Sequence, residues 1–157
     1  MTTVRGAKVI PGAFSYRDHV INGRTTPASP DGRKSGDPLN DGSCPVQGYD
    51  NLGPTLSIAS TVAWEPSRFL GGTSVNVKIN KGVEPEKIAA LIKGYLKTHG
   101  SQLQFNIVDT ETLIEAQKNP DMYRDLIVRI GGYSDFFVTI SKRLQDEIIS
   151  RSANETI

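Results

Sequence analysis

Polar and apolar residues alternate twice along this chain, and each alternation predicts a strand. Over residues 73–80, Val75, Val77 and Ile79 oppose Ser74, Asn76 and Lys78, the two-residue period of a pleated backbone. Over residues 102–108, Leu103, Phe105 and Ile107 oppose Gln104 and Asn106 in the same way. Between them Ile88, Leu91, Ile92, Tyr95 and Leu96 recur at helical spacing. Residues 85–99 therefore predict a helix that Pro85 opens and Gly100 ends. A second helix is expected over 56–63, with Pro54 acceptable in its first turn and an interruption at 64–68. A third runs over 110–117, capped by Asp109 or Thr110 and broken at Asn119-Pro120. Leu126, Ile127, Val128 and Ile130 predict a short buried strand that ends on Gly131-Gly132. Arg129 inside it needs a carboxylate or carbonyl partner, because an unpaired buried guanidinium is very costly. Ser141 caps a last helix, in which Leu144 and Ile148 meet four residues apart.

Strand, helix, strand, helix, strand is the order of an α/β unit with crossover connections. Three strands do not close a barrel. The first 51 residues look different, being rich in glycine, proline, serine, aspartate and asparagine. Residues 27–55 read as one long ordered loop or a series of turns. So much irregular chain points to packing against another surface.

At 157 residues with a net charge of +1, the chain is the size of one domain and lacks a field suited to nucleic acid or anionic lipid. It has no apolar run long enough to span a bilayer and no signal-peptide pattern at its amino end. One cysteine, Cys44, excludes an internal disulfide framework and fits a reducing cytoplasm. Two histidines and one cysteine, widely spaced, make no plausible zinc site. No glycine-rich nucleotide-binding loop is present. Glu84, Glu86, Lys87, Lys93 and Lys97 form an ordinary solvated helix face.

The chemistry lies near the carboxyl end. Residues 127–137 read IVRIGGYSDFF. Taken alone, two glycines after a strand are a turn. The wider segment NPDMYRDLIVRIGGYSDFFVTISKRLQDEIISR, residues 119–151, resembles nearly throughout the terminal segment of the glycyl radical enzymes, the family of pyruvate formate-lyase and the radical dehydratases and lyases. The upstream Asp-Gly-Arg and Gly-Pro-Thr landmarks, within residues 27–55, are similar as well. Asp135 departs from the pattern, standing where many members carry a small residue. The Gly-Tyr-Ser loop and the LQDEIISR tail look more like the dehydratase and carbon-heteroatom lyase branch than like pyruvate formate-lyase.

The resemblance implies that Gly132 loses a hydrogen atom and stores an unpaired electron on its α-carbon. Glycine suits that role because an α-carbon radical must flatten, and a β-carbon would clash with the backbone there. Arg129, Gly131, Tyr133 and Ser134 would support the loop, with Tyr133, Phe136 and Phe137 packing around it and excluding solvent. The implied architecture is the closing carboxyl-terminal part of a ten-stranded α/β barrel, with residues 1–35 as the tail of the core region and 36–157 as the radical domain. No cofactor is implied as bound. A separate S-adenosylmethionine-dependent iron–sulfur enzyme would install the radical, and the glycine- and proline-rich loop would give the play for the domain to swing out to it. Oxygen meeting the radical would break the chain at Gly132.

In the family, the stored radical passes to a cysteine in a Gly-Cys-(Val/Ile)-Glu hairpin, and that thiyl radical attacks the substrate. This chain contains no such hairpin. Cys44, in SCPVQ, reads as a small, partly buried residue. A partner must then supply the thiol, as the larger chain of a split enzyme, an oxygen-cleaved enzyme that this chain repairs, or the remainder of a longer chain. The start at Met1 slightly favours a genuine short chain. Part of a formate acetyltransferase, or an inert docking adaptor, are the other readings. The expected reaction is elimination on a small polar substrate. Asn76, Gln104 and Asn106, on alternating strand positions, either line a cavity or satisfy neighbouring backbone.

Overall fold

The computed structural model describes residues 2–46 and 48–151. Met1, the first residue of the expected range 1–35, and Gln47 and residues 152–157 of the expected range 36–157 lie outside these.

Strands β1 (Ser74–Ile79) and β2 (Gln102–Ile107) lie parallel, in register from Ser74 against Gln102 to Ile79 against Ile107. Helix α3 (Pro85–Lys97) makes the crossover between them, the connection that parallel neighbours require. It packs with an earlier helix, α2 (Pro54–Val62), on the apolar side of the pair. Ile58, Val75, Val77, Ile79, Leu91 and Tyr95 form the core there, with Leu103 and Phe105 against it. Helix α3 stops through His99, which takes the left-handed conformation at φ 65° while Gly100 donates to the Tyr95 carbonyl. The expected stop is therefore shared, and histidine rather than glycine carries the positive φ.

The other side of the pair is covered too, as is usual for parallel strands, although its residues are polar. Here Gln104 and Asn106 are 7% and 5% exposed, whereas Ile107 is 53% exposed. Ser74 and Lys78 on β1 are buried too. The polar side faces main chain from a second layer, and main chain needs donors and acceptors.

That layer has its own core. Helix α4 (Thr110–Lys118) and helix α5 (Lys142–Ser150) contribute Leu113, Ala116, Leu144 and Ile148. Val128, Ile130 and Phe137 join them, as does Val20 from a short helix α1 (Asp18–Gly23) within the segment expected to be irregular. Ser141 caps α5, its hydroxyl accepting from the Leu144 amide at 3.4 Å. Asp109 stands at the cap position of α4 but turns its carboxylate to the Lys81 amide at 3.1 Å.

The third strand corrects the α/β order read from the sequence. Strand β3 (Ile127–Arg129) pairs antiparallel with β4 (Ser134–Phe136). The two make a hairpin that does not extend the parallel ladder. Ile127 is 59% exposed, so the run is buried on the Val128 side only. Three residues with two glycines behind them favour a tight hairpin over a crossover. Among the described residues, no helix is long and apolar enough to cross a membrane.

Candidate functional site

The hairpin tip is Ile130-Gly131-Gly132-Tyr133, closed by the Ile130 amide donating to the Tyr133 carbonyl at 2.9 Å. Gly132 takes φ 85°, the left-handed value that a type II turn assigns to its third residue and that glycine adopts without steric cost. The glycines are tight against one residue from the far end of the chain. A β-carbon on Gly131 would lie 3.0 Å from Tyr16 Cα, and one on Gly132 would lie 3.3 Å from Tyr16 Cε1. Tyr16 itself has φ 50°. Its ring also meets Tyr133, with centroids 6.3 Å apart, and Phe14 at 5.8 Å.

This differs from the cover expected of the local aromatics. Phe137 is buried in the core, Phe136 is 43% exposed, and Gly132 is exposed. Successive residues of a short strand and turn point in different directions, so the three rings cannot converge on the tip. The aromatic neighbour of Gly132 comes from residue 16, where no motif flagged it.

The three amides singled out from the strands all reach this loop. Asn106 spans Arg129, accepting from its backbone N–H at 2.7 Å and donating to its carbonyl at 2.8 Å. Asn76 donates to the Ile130 carbonyl at 2.8 Å and to the Asp41 carboxylate. Gln104 Oε1 accepts from Arg129 Nε at 2.6 Å and from the Gly132 amide at 3.2 Å. Arg129 thus finds the carbonyl partner its position demanded, and its Nη1 donates to Ser134 Oγ at 3.3 Å. One amide from β1 and two from β2, on one face of the pair, hold the main chain of residues 129, 130 and 132. Asn76 additionally borders a cavity of about 30 Å³ with Asp41, Cys44, Lys78 and Arg151.

Behind Asn76 lies a buried ionic cluster that joins both ends of the chain. Arg151 donates from Nε to Glu147 at 3.0 Å and from Nη2 to Glu147 at 2.9 Å, and Nη2 also stands 3.1 Å from Asp41. His19 sits between the carboxylates, with Nε2 3.4 Å from Glu147 and Nδ1 3.2 Å from Ser15 Oγ. Ser15 in turn donates to Asp41 at 2.7 Å. Burial alone would push the Glu147 carboxyl up; the Arg151 charge and hydrogen bonds from His19 and Arg151 outweigh it and hold the group at about 2. Burial likewise disfavours the Arg151 charge, but Glu147 and Asp41 more than offset it and raise its pKa. Lys78 Nζ donates to Thr110 Oγ1 at 3.2 Å and to the Ile149 carbonyl at 3.1 Å. Burial, followed by the Arg151 charge, lowers that ammonium to about 8.

Cys44 belongs to this packing. Its sulfur accepts from the Asn76 amide at 3.1 Å, and burial, reinforced by the Asp41 carboxylate, pushes the thiol up to about 12. Asp135 accepts from the Phe136 amide at 2.8 Å. Tyr16, His19 and Asp41 were not legible as site residues, because their partners lie far away in sequence. Glu147 and Arg151 offered one signal, an acid and a base four residues apart at the end of a helix.

Residues 39–138 match the family model described as "Glycine radical". Among curated proteins, the chain is 40% identical over 153 residues to the probable dehydratase YbiW of Escherichia coli (strain K12), covering 94% of this chain and 19% of that protein. It is 42% identical over 139 residues to the trans-4-hydroxy-L-proline dehydratase of Clostridioides difficile, covering 85% and 18% respectively. A solved structure concerned with 1,2-propanediol dehydration in Roseburia inulinivorans superimposes with a TM-score of 0.94 at 38% identity, covering 98% of this chain and 20% of that one. With the matched segment containing the whole glycine hairpin and its three amide anchors, the chain belongs to the glycine radical family. It spans about one-fifth of the length of the curated relatives it matches.

Proposed function

We propose that Gly132 is the radical-bearing residue and that the chain supplies this radical to dehydration or lyase chemistry on a small polar substrate. The observation that carries the reading is the setting of Gly132. It is exposed, takes a left-handed φ that disfavours any side chain, lies against the Tyr16 ring edge, and sits in a turn whose neighbouring peptides are bonded to side-chain amides. An exposed α-hydrogen can be reached, and a fixed loop keeps it where a partner can find it.

The step balances as a hydrogen-atom transfer. One Cα–H bond of Gly132 breaks and the hydrogen atom bonds to an organic radical that the activating enzyme makes from S-adenosylmethionine. The odd electron stays on the α-carbon. In the reverse sense a thiol S–H breaks, the Cα–H re-forms, and the electron moves to sulfur. Cys44 does not suit that thiol role, its sulfur being bonded to the Asn76 main chain. The thiol would come from a larger body, in which β1 and β2 are closing strands of a ten-stranded α/β barrel. Residues 1–35 would be the tail of its core and 36–157 the radical domain. Arg129, Gly131, Tyr133 and Ser134 support the loop in this reading. The setting would be the cytoplasm of a cell living without oxygen. The dehydratase names of both curated relatives favour elimination over formate acetyltransferase chemistry.

The test is oxygen-free incubation with an activating enzyme and S-adenosylmethionine. A doublet electron-resonance signal is expected from the wild type and none from Gly132→Ala. A signal that survives in Gly132→Ala refutes the assignment.

A further inference from the structure

We propose that Gln104 is a positioning residue for the radical, anchoring the Gly131–Gly132 peptide and adjusting how far the odd electron spreads onto its nitrogen. Arg129 sets the strength of that adjustment. This rests on the reading of Gly132 just given.

An α-carbon radical shares its electron with the adjoining amide nitrogen. The nitrogen gives more when its own hydrogen is drawn toward a good acceptor. For Gly132 that acceptor is a single atom, Gln104 Oε1 at 3.2 Å. The side chain is buried, where a hydrogen bond acts more strongly than in water. The same oxygen accepts a shorter bond, 2.6 Å, from the cationic Arg129. A charged donor draws electron density from the oxygen and leaves less for the glycine.

Two details separate Gln104 from a merely structural amide. Asn106 uses both of its polar ends on Arg129, whereas Gln104 Nε2 is buried with no partner among the described residues. A buried donor left without an acceptor opposes folding. The orientation is nevertheless fixed, because both neighbours of Oε1 are N–H donors and a reversed amide would oppose them. The site therefore keeps a carbonyl on Gly132 at the expense of an unused NH2.

Geometry explains why an anchor is useful. At φ 85° the peptide before Gly132 stands nearly perpendicular to the plane a flattened α-carbon would share with its carbonyl. Sharing with nitrogen then requires rotation about N–Cα toward an extended φ. Glycine permits that rotation. Gln104 holds the nitrogen side still, so the carbonyl side is the part that swings as N–Cα turns.

The experiment compares wild type, Gln104→Met, Gln104→Glu and Arg129→Met after oxygen-free activation, reading the doublet splitting from the remaining α-hydrogen and the spin yield. The activating enzyme is first shown to be competent on a full-length relative. Losing the acceptor in Gln104→Met leaves more spin on carbon, so the doublet widens and the yield falls. The stronger carboxylate acceptor of Gln104→Glu narrows the doublet and restores the yield, and Arg129→Met narrows it too. Wild-type splitting in all three variants overturns the proposal while leaving Gly132 as the carrier. Absence of any doublet in the wild type overturns the assignment of Gly132, and this proposal with it. Should Gln104→Met fail to fold, Gln104→Glu decides alone, since an unchanged splitting there is sufficient to sink the idea.

Discussion

The Asn106 side chain bonds both the N–H and the C=O of Arg129, at 2.7 and 2.8 Å. It thereby does for the glycine hairpin what a neighbouring strand would otherwise do. The attachment is a side chain rather than a ladder, so a single substitution can remove it. Asn106→Ala leaves two part-buried main-chain groups without their side-chain partner, and we expect a loss of about 1–3 kcal/mol in urea denaturation. Asn106→Asp keeps the acceptor but sets a second oxygen against the Arg129 carbonyl. Its deficit should shrink as the pH falls and that carboxyl takes a proton.

The two tip glycines should respond differently to alanine. Gly132→Ala forces a side chain into the left-handed region, at a cost of about 1–2 kcal/mol, and meets only the edge of the Tyr16 ring. The variant should fold and lose its electron-resonance doublet. Gly131→Ala would press on the Tyr16 main chain instead, displacing the amino-terminal segment. Faster amide exchange across residues 13–18 in Gly131→Ala, and not in Gly132→Ala, is the expected result.

Acid should act through Glu147. Its folded pKa, about 2, lies below the ordinary 4.5. A depressed carboxyl contributes stability that is fully present above the unfolded value and is lost as the pH falls toward the folded one. The window is therefore from about 4.5 down to about 2. Glu147→Gln should be less stable than wild type at neutral pH, with the difference closing through this window. Urea midpoints measured at stepped pH give the comparison; a constant difference down to pH 2 would show that Glu147 is not the group responsible.

Cys44 should be slow to alkylate. With its thiol at about 12, almost none is thiolate at pH 8, and thiolate is the nucleophile. Iodoacetamide should label it far more slowly in the folded chain than in urea. Cys44→Ser should leave the doublet intact, since the sulfur's bonds are to the Asn76 main chain.

The elements were largely legible because their signals are local. Period-two alternation placed β1 and β2, and helical spacing placed α3 between them. What escaped was the identity of the partner. Gln104 and Asn106 read as lining a cavity or satisfying neighbouring backbone, and the hairpin that bonds them arrives from far along the chain, 25 residues in the Arg129–Gln104 pair. The Gly131-Gly132 tip was legible through its resemblance to a family segment. Tyr16 was not, since nothing near it in sequence indicates that it will meet glycines 115 or more residues on. The ionic cluster was hidden for the same reason: His19, Asp41 and Glu147 become neighbours only when α5 docks.

That docking changes what damage at the tip would mean. If oxygen severs the backbone at Gly132, the severed tail still owns Leu144 and Ile148 in the second core and Glu147 and Arg151 against His19 and Asp41. The cut piece would stay lodged in its seat, and an injured molecule would keep nearly the outline of an intact one. Replacing it would require prising out a tail held by apolar packing and buried charge, so removal of the old piece, more than acceptance of a new one, would limit any repair.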